Sequence, residues 1–166
     1  MQALTPKTVA PDFALTTVSG KPFVLSEALS RGPVVLAFFK VSCPTCQYAF
    51  PYFDRIFRAH KTEPFTIVGI SQNDLTETEA FIKQYGVTFP VLLEDTKRYK
   101  VSNSYGLTNV PTVFLISREQ EIEMTVIGWS RAEVEQLNSQ LSMMSPDQQS
   151  VQIFKPGEEV AEYKAG

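Results

Sequence analysis

The chain has 166 residues, 43% of them hydrophobic and 20% charged, with a net charge of −3; that is enough for one domain to close a single core without disulfides or a structural metal. The weak negative charge offers nothing to phosphate backbones or anionic lipid, so neither nucleic acid nor a membrane is an expected partner. No run approaches the roughly 20 apolar residues of a membrane span, and Thr5, Pro6, Lys7 and Thr8 stand where a signal peptide would carry its apolar run, so the sequence as written is expected to be soluble, monomeric and cytoplasmic, or periplasmic if a signal segment has been removed.

Residues 13–18 and 23–25 are short extended runs joined by Ser19-Gly20-Lys21, which predicts a β-hairpin over 11–25. Ser26 predicts a capped helical turn. Val34–Phe39 is a continuous apolar run opened by Gly32-Pro33, the pattern of a central strand buried on both faces. From Pro44 to His60 the pattern is helical, with Tyr48, Phe53, Ile56 and Phe57 on the apolar face, and Pro51 predicts a kink and a lost backbone bond. A second strand follows at Thr66–Ser71. Thr76 with Glu79 reads as a capping box for a helix whose stripe is Ala80, Phe81 and Tyr85 and whose stop is Gly86.

Val91–Leu93 is a further strand, and 99–105 a short helix stopped by Gly106. After Asn109-Val110-Pro111, Thr112–Ile116 and Ile122–Ile127 are strands joined by the polar turn 117–121, hence antiparallel. Ser130 with Glu133 opens a closing helix that runs to residue 142. The order implies an α/β fold with a central mixed β-sheet flanked by helices. Residues 143–166, punctuated by proline and glycine and carrying the apolar patch Val151, Ile153 and Phe154, form a tail, either docked or flexible.

The two cysteines stand three apart, as Cys43-Pro44-Thr45-Cys46, a spacing that two cysteines scattered at random over this length reach roughly once in eighty. A redox dithiol needs one thiol that ionises and reaches solvent, and a second close enough to displace whatever the first captures. C-x-x-C at a helix start supplies both: unpaired N–H groups and the positive end of the dipole favour a thiolate at the first position, and the second lies one turn on. Pro44 suits the first helical position, where its missing N–H would have had no partner. Cys43 is therefore the candidate nucleophile and Cys46 the resolving thiol. A zinc site would need ligands beyond these two and His60, so no metal and no cofactor is expected, and His60 itself reads as a solvated residue at a helix end.

This sequence resembles the thioredoxin superfamily, in the branch that holds TlpA/ResA-type thiol:disulfide oxidoreductases and the AhpC/TSA peroxiredoxins. The likeness runs from about Pro11 to Leu141. It is carried by Pro11-Asp12-Phe13, by Val34–Phe39 before Ser42-Cys43-Pro44-Thr45-Cys46, and by Phe50-Pro51. It continues in Tyr85-Gly86-Val87-Thr88-Phe89-Pro90-Val91, in Asn109-Val110-Pro111-Thr112 with the strand behind it, and in Gly128. The resemblance implies a thioredoxin-like domain over 1–142, a cis Pro111 facing the cysteine pair, and a Val110 backbone that pairs with an extended substrate. It further implies a substrate rim lined by Phe39, Val41 and Ser42, with Pro44 and Thr45 also binding substrate and the segment near Phe89-Pro90 forming another part of the groove.

Against the family's pattern, Ala37 stands where thioredoxins keep a buried Asp, Ala49 where TlpA/ResA-type proteins often carry a Glu, and Ser42 where an aromatic residue usually precedes the first cysteine. The expected activity is exchange of the Cys43/Cys46 couple with a disulfide-containing protein or a small thiol substrate, and a separate redox recycling partner. The alternatives are an AhpC/TSA-type thiol peroxidase, disfavoured by Lys40 where such enzymes place a Thr, and a thioredoxin-fold binding module without catalysis.

Overall fold

The computed structural model describes residues 2–60, 64–146, 148 and 150–166. Positions 1, 61–63, 147 and 149 lie outside the described residues, and with them a few positions of the chain start and the tail considered above. The chain runs β1 (Ala14–Thr17), β2 (Pro22–Val24), α1 (Leu25–Leu29), β3 (Val34–Phe39), α2 (Pro44–Ala59), β4 (Thr66–Ser71) and α3 (Leu75–Tyr85). It continues through β5 (Val91–Leu93), α4 (Lys100–Ser104), β6 (Thr112–Ile116), β7 (Ile122–Ile127), β8 (Trp129–Ser130), α5 (Arg131–Met144) and β9 (Tyr163–Lys164).

Seven strands make one mixed sheet in the order β2-β1-β5-β4-β3-β6-β7, parallel through β3, β4 and β5 and antiparallel elsewhere. Because β3 is apolar at every position, it divides its side chains between two cores. Val35, Ala37 and Phe39 face α2, α3 and α5, while Val34, Leu36 and Phe38 face the side of Leu25, Tyr105 and Phe114. The register decides where the site can lie. β3 pairs Phe39 with Ser71 of the parallel β4, and antiparallel β6 pairs Thr112 with Phe38, so the end of β3 that launches the cysteine motif is also where Pro111 enters the sheet.

Three local expectations change. The N-cap of α3 is Asp74, whose carboxylate accepts the Glu77 amide at 2.8 Å, so Thr76 lies within the first turn. Phe81 and Thr78 are the buried residues of that helix and Ala80 faces solvent, while Gly86 ends it in the left-handed region as expected. Ser26 is no cap: α1 begins at Leu25, and the Ser26 amide is taken by Asp12 Oδ1 at 2.9 Å. Ser130 does cap α5, accepting the Glu133 amide. α2 continues through Pro51, which leaves the Gln47 carbonyl without its helical donor.

His60 is buried rather than solvated, its Nε2 donating to Asn138 Oδ1 at 2.9 Å while Asn138 Nδ2 donates to the Val151 carbonyl. The tail is docked. Ile153 and Phe154 are buried in the same core as Phe50, Arg55 grips Glu158 bidentately at 2.7 and 2.8 Å, and β9 pairs with β8. At the centre of this contact Trp129 is fully buried, its indole N–H donating to the Ala161 carbonyl at 2.6 Å and its ring packed against those of Tyr48 and Tyr52.

Candidate active site

The turn between β3 and α2 is tied from three directions before the first cysteine appears. Asn73 Oδ1 accepts the Val41 amide at 3.0 Å, Gln47 Nε2 donates to the Val41 carbonyl at 2.9 Å, and the Cys43 amide donates to the Lys40 carbonyl. Cys43 is then the N-cap of α2, in extended conformation, with Pro44 behind it in the first turn. Its sulfur accepts the Cys46 amide at 3.1 Å, answering one of the donors that a helix start leaves without a backbone partner. That bond strengthens as the sulfur gains charge.

The two thiols are free and differ sharply in surroundings: Cys43 is half-buried, whereas Cys46 is 0% exposed. Cys46 shares its core with Ala37 and Ala49, both fully buried, so the two positions noted in the sequence present methyl groups to it rather than carboxylates. Burial, then the side-chain hydrogen bond with Cys43, pushes the Cys46 thiol well above the ordinary range. Glu94, also buried, has its carboxylate engaged by the amide and hydroxyl of Ser102.

The Val110-Pro111 peptide is cis, and the Val110 carbonyl accepts the Cys43 thiol hydrogen at 3.3 Å. The structure thus brings Cys43, Cys46, Val110 and Pro111 to one end of β3. Ser42 and Pro44 are exposed beside them, while Thr45 is buried, its hydroxyl donating to the Ala165 carbonyl. Phe39 does not line the rim; it is fully buried, with its ring 4.3 Å from that of Phe50 and 4.7 Å from that of Phe81. Phe89 is likewise buried against Phe50 and Phe57, and Pro90 sits at the opposite end of β5 from the cysteines, where its carbonyl accepts the Gly69 amide.

A cavity of about 240 Å³ opens beside Val110, lined by Lys40, Gln72, Ser102, Thr108 and Asn109. Among the described residues no group of three or more His, Cys, Asp or Glu converges as a metal site would. Asn73 and Gln47 escaped the sequence reading, because a polar side chain that ties down a loop through a backbone group carries no periodic or spacing signal.

Comparison with known proteins agrees with this geometry. The profile of the AhpC/TSA family matches residues 6–125. The thiol-disulfide oxidoreductase ResA of Bacillus subtilis (strain 168) is 35% identical over 120 residues, covering 72% of this chain and 65% of that protein. ResA of Bacillus thuringiensis (strain Al Hakam) is 30% identical over 141 residues, covering 82% of this chain and 77% of its own length. Among solved structures, a Bacteroides thetaiotaomicron protein assigned as a disulfide isomerase superposes with a TM-score of 0.80 at 27% identity, covering 87% of this chain and 94% of that one. Thioredoxin-like architecture, a dithiol at the head of α2 and a profile match over most of the length converge on one statement: the chain belongs to the AhpC/TSA family.

Proposed function

We propose that the chain is a thiol:disulfide oxidoreductase in which Cys43 attacks and Cys46 resolves. The observation that carries this reading is the unequal pair itself: a half-exposed sulfur at a helix start that accepts its partner's amide, and a fully buried thiol one turn on.

In the reducing direction, ionised Cys43 Sγ attacks one sulfur of a substrate disulfide. The substrate S–S bond breaks, a mixed disulfide forms, and the first substrate sulfur leaves as a thiolate that takes a proton from water. Cys46 then loses its proton and attacks Cys43 Sγ, so the second substrate sulfur leaves. The substrate has gained two electrons and the Cys43/Cys46 pair has lost two. A recycling partner must return them, and the same steps in reverse oxidise a dithiol. The substrate is a disulfide-containing protein or a small thiol compound, held by the Val110 backbone and the rim of Ser42, Pro44 and Thr45. One dithiol of this kind operates in a reducing or an oxidising compartment alike, and its potential decides the direction.

The test is reduction of insulin disulfides with dithiothreitol as the recycling reductant. The intact chain turns over, Cys43→Ser does not and forms no adduct, and Cys46→Ser accumulates a mixed disulfide through Cys43. Absence of disulfide reduction together with turnover of hydrogen peroxide would overturn the reading in favour of a thiol peroxidase.

A further inference from the structure

The segment at 161–166 lies across the rim of the dithiol, held at four backbone carbonyls. The Trp129 indole N–H donates to the carbonyl of Ala161 at 2.6 Å, and the Arg131 amide donates to that of Glu162 at 3.0 Å. Two further donors belong to the cysteine neighbourhood itself. Thr45 Oγ1, between the two cysteines in sequence, donates to the Ala165 carbonyl at 2.6 Å, and Asn109 Nδ2, next to Val110, donates to the Gly166 carbonyl at 3.2 Å.

The approach is close enough to constrain residue type. A Cβ at Gly128, whose φ is +73°, would come within 2.7 Å of the Lys164 carbonyl oxygen and 2.9 Å of the Gly166 nitrogen. A Cβ on Gly166 would come within 2.8 Å of the Val110 carbonyl oxygen, the same atom that the Cys43 thiol touches. The turn of the cysteine motif, the loop before Pro111 and Gly128 thus surround one extended backbone.

We propose that Thr45 Oγ1, Asn109 Nδ2 and the bare Cα of Gly128 form a subsite for extended peptide backbone, filled at rest by the chain's own residues 165–166, so that a peptide strand reaching Cys43 must displace them. The inference rests on the exchange activity proposed above and names the class of substrate it favours: an extended polypeptide around its disulfide, which can supply carbonyls to the same two donors, in place of a compact small-molecule disulfide. Beside these contacts the strand is held by β8–β9 pairing two residues deep, by the Ala161 amide donating to the Tyr48 hydroxyl at 2.9 Å, by the Arg131–Glu162 ion pair at 3.6 Å and by Lys164 Nζ 4.9 Å over the Tyr48 ring, and so short a pairing opens without disturbing the main sheet.

Two measurements on the full-length chain decide it. In Cys46→Ser, Cys43 is joined chemically, through a thionitrobenzoate-activated partner, either to a short extended peptide or to a methylthio cap. Amide hydrogen exchange over 161–165 should be faster by about tenfold or more in the peptide adduct, as expected for local release; equal protection in the two adducts overturns the proposal. In the second measurement, Gly166→Val, whose side chain collides with the Val110 carbonyl, should lower KM for insulin about threefold to tenfold, the effect of one or two lost hydrogen bonds. Turnover of the small disulfide 5,5′-dithiobis(2-nitrobenzoate) should stay within about twofold on the same reasoning, and an unchanged or raised KM for insulin counts against the subsite. If neither disulfide is turned over by the intact chain, the exchange activity fails, while the comparison of the two adducts, which needs no turnover, still decides who occupies the groove.

Discussion

The amide nitrogen of Cys46 lies 3.1 Å from Cys43 Sγ, so the residue proposed to resolve the mixed disulfide also steadies the sulfur it would attack. Burial in the surrounding core, and then the side-chain interaction with Cys43, hold Cys46 itself in its neutral form.

From this follows a pH dependence with a definite sign. The Cys46 thiol is pushed up, only its thiolate attacks, and below its own pKa the reactive fraction rises about tenfold per pH unit. Stopped-flow decay of a preformed Cys43 mixed disulfide should therefore accelerate steadily with rising pH through neutrality. Ala49→Glu should raise the rate near neutral pH and flatten the profile by offering a proton acceptor one helical turn from Cys46. A flat profile in the unmodified chain would mean that another group already takes the proton.

Asn73 is a positioning residue for the turn ahead of Cys43, since its Oδ1 is the partner of the Val41 amide. Asn73→Ala should reduce kcat/KM for insulin by about twofold to tenfold, corresponding to one hydrogen bond of about 0.5–1.5 kcal/mol. Iodoacetamide kinetics separate positioning from general damage: Cys43 labelling should slow or speed while Tm stays near that of the unmodified chain. Labelling of Cys43 should in either protein run far ahead of the buried Cys46.

Phe50 joins the two elements that carry the dithiol, its ring 4.3 Å from Phe39 of β3 and within 5.6 Å of Phe53, Phe81 and Phe89. Phe50→Ala should cost about 3–5 kcal/mol of stability through the cavity it leaves, read by urea unfolding. Phe57→Ala, at a half-buried position on the same helix, should cost clearly less.

The Arg55 guanidinium, through its paired hydrogen bonds, holds the Glu158 carboxyl down at about 2 against an ordinary 4.5. A depressed folded value stabilises the docked tail above the ordinary carboxylate pKa, and that contribution disappears as pH falls from 4.5 towards 2. An NMR titration of the Glu158 carboxyl should find its midpoint in that low range, and Arg55→Ala should return it to the ordinary one. A midpoint unchanged by Arg55→Ala would mean that the pair does not set it.

Most of the sheet was legible because β3, β4, β5, β6 and β7 are short, strongly apolar runs with clear breaks, and their limits agree with the sequence reading. The helix caps were less so. Asp74 with Glu77 and Thr76 with Glu79 are overlapping signals of equal quality, and only the start of α3 at Leu75 selects the first. Phe39 was misjudged although the sequence held the answer: in a strand buried on both faces, a residue in alternation with Val35 and Ala37 must enter the core. His60 was misread for a different reason, the same one that left the tail open between docked and flexible. Asn138 lies 78 residues from His60 and Ala165 lies 120 from Thr45, and contacts at that separation leave no periodic trace. At the site, the dithiol was readable from spacing and helix chemistry, the loop at Val110 from family likeness, and the occupied groove from neither.

Trp129 is the chain's single tryptophan, and it donates its indole hydrogen to the segment that lies over the dithiol while Tyr48 and Tyr52 pack against its ring. The protein consequently carries its own optical gauge. Release of the segment strips the indole of its Ala161 acceptor and admits water to one edge, which moves fluorescence emission to longer wavelength while the backbone signal in the far ultraviolet stays put. Global unfolding moves both together. Titrating the Cys46→Ser chain with an activated peptide and watching this one fluorophore would report how tightly the groove is covered, in real time and without a label.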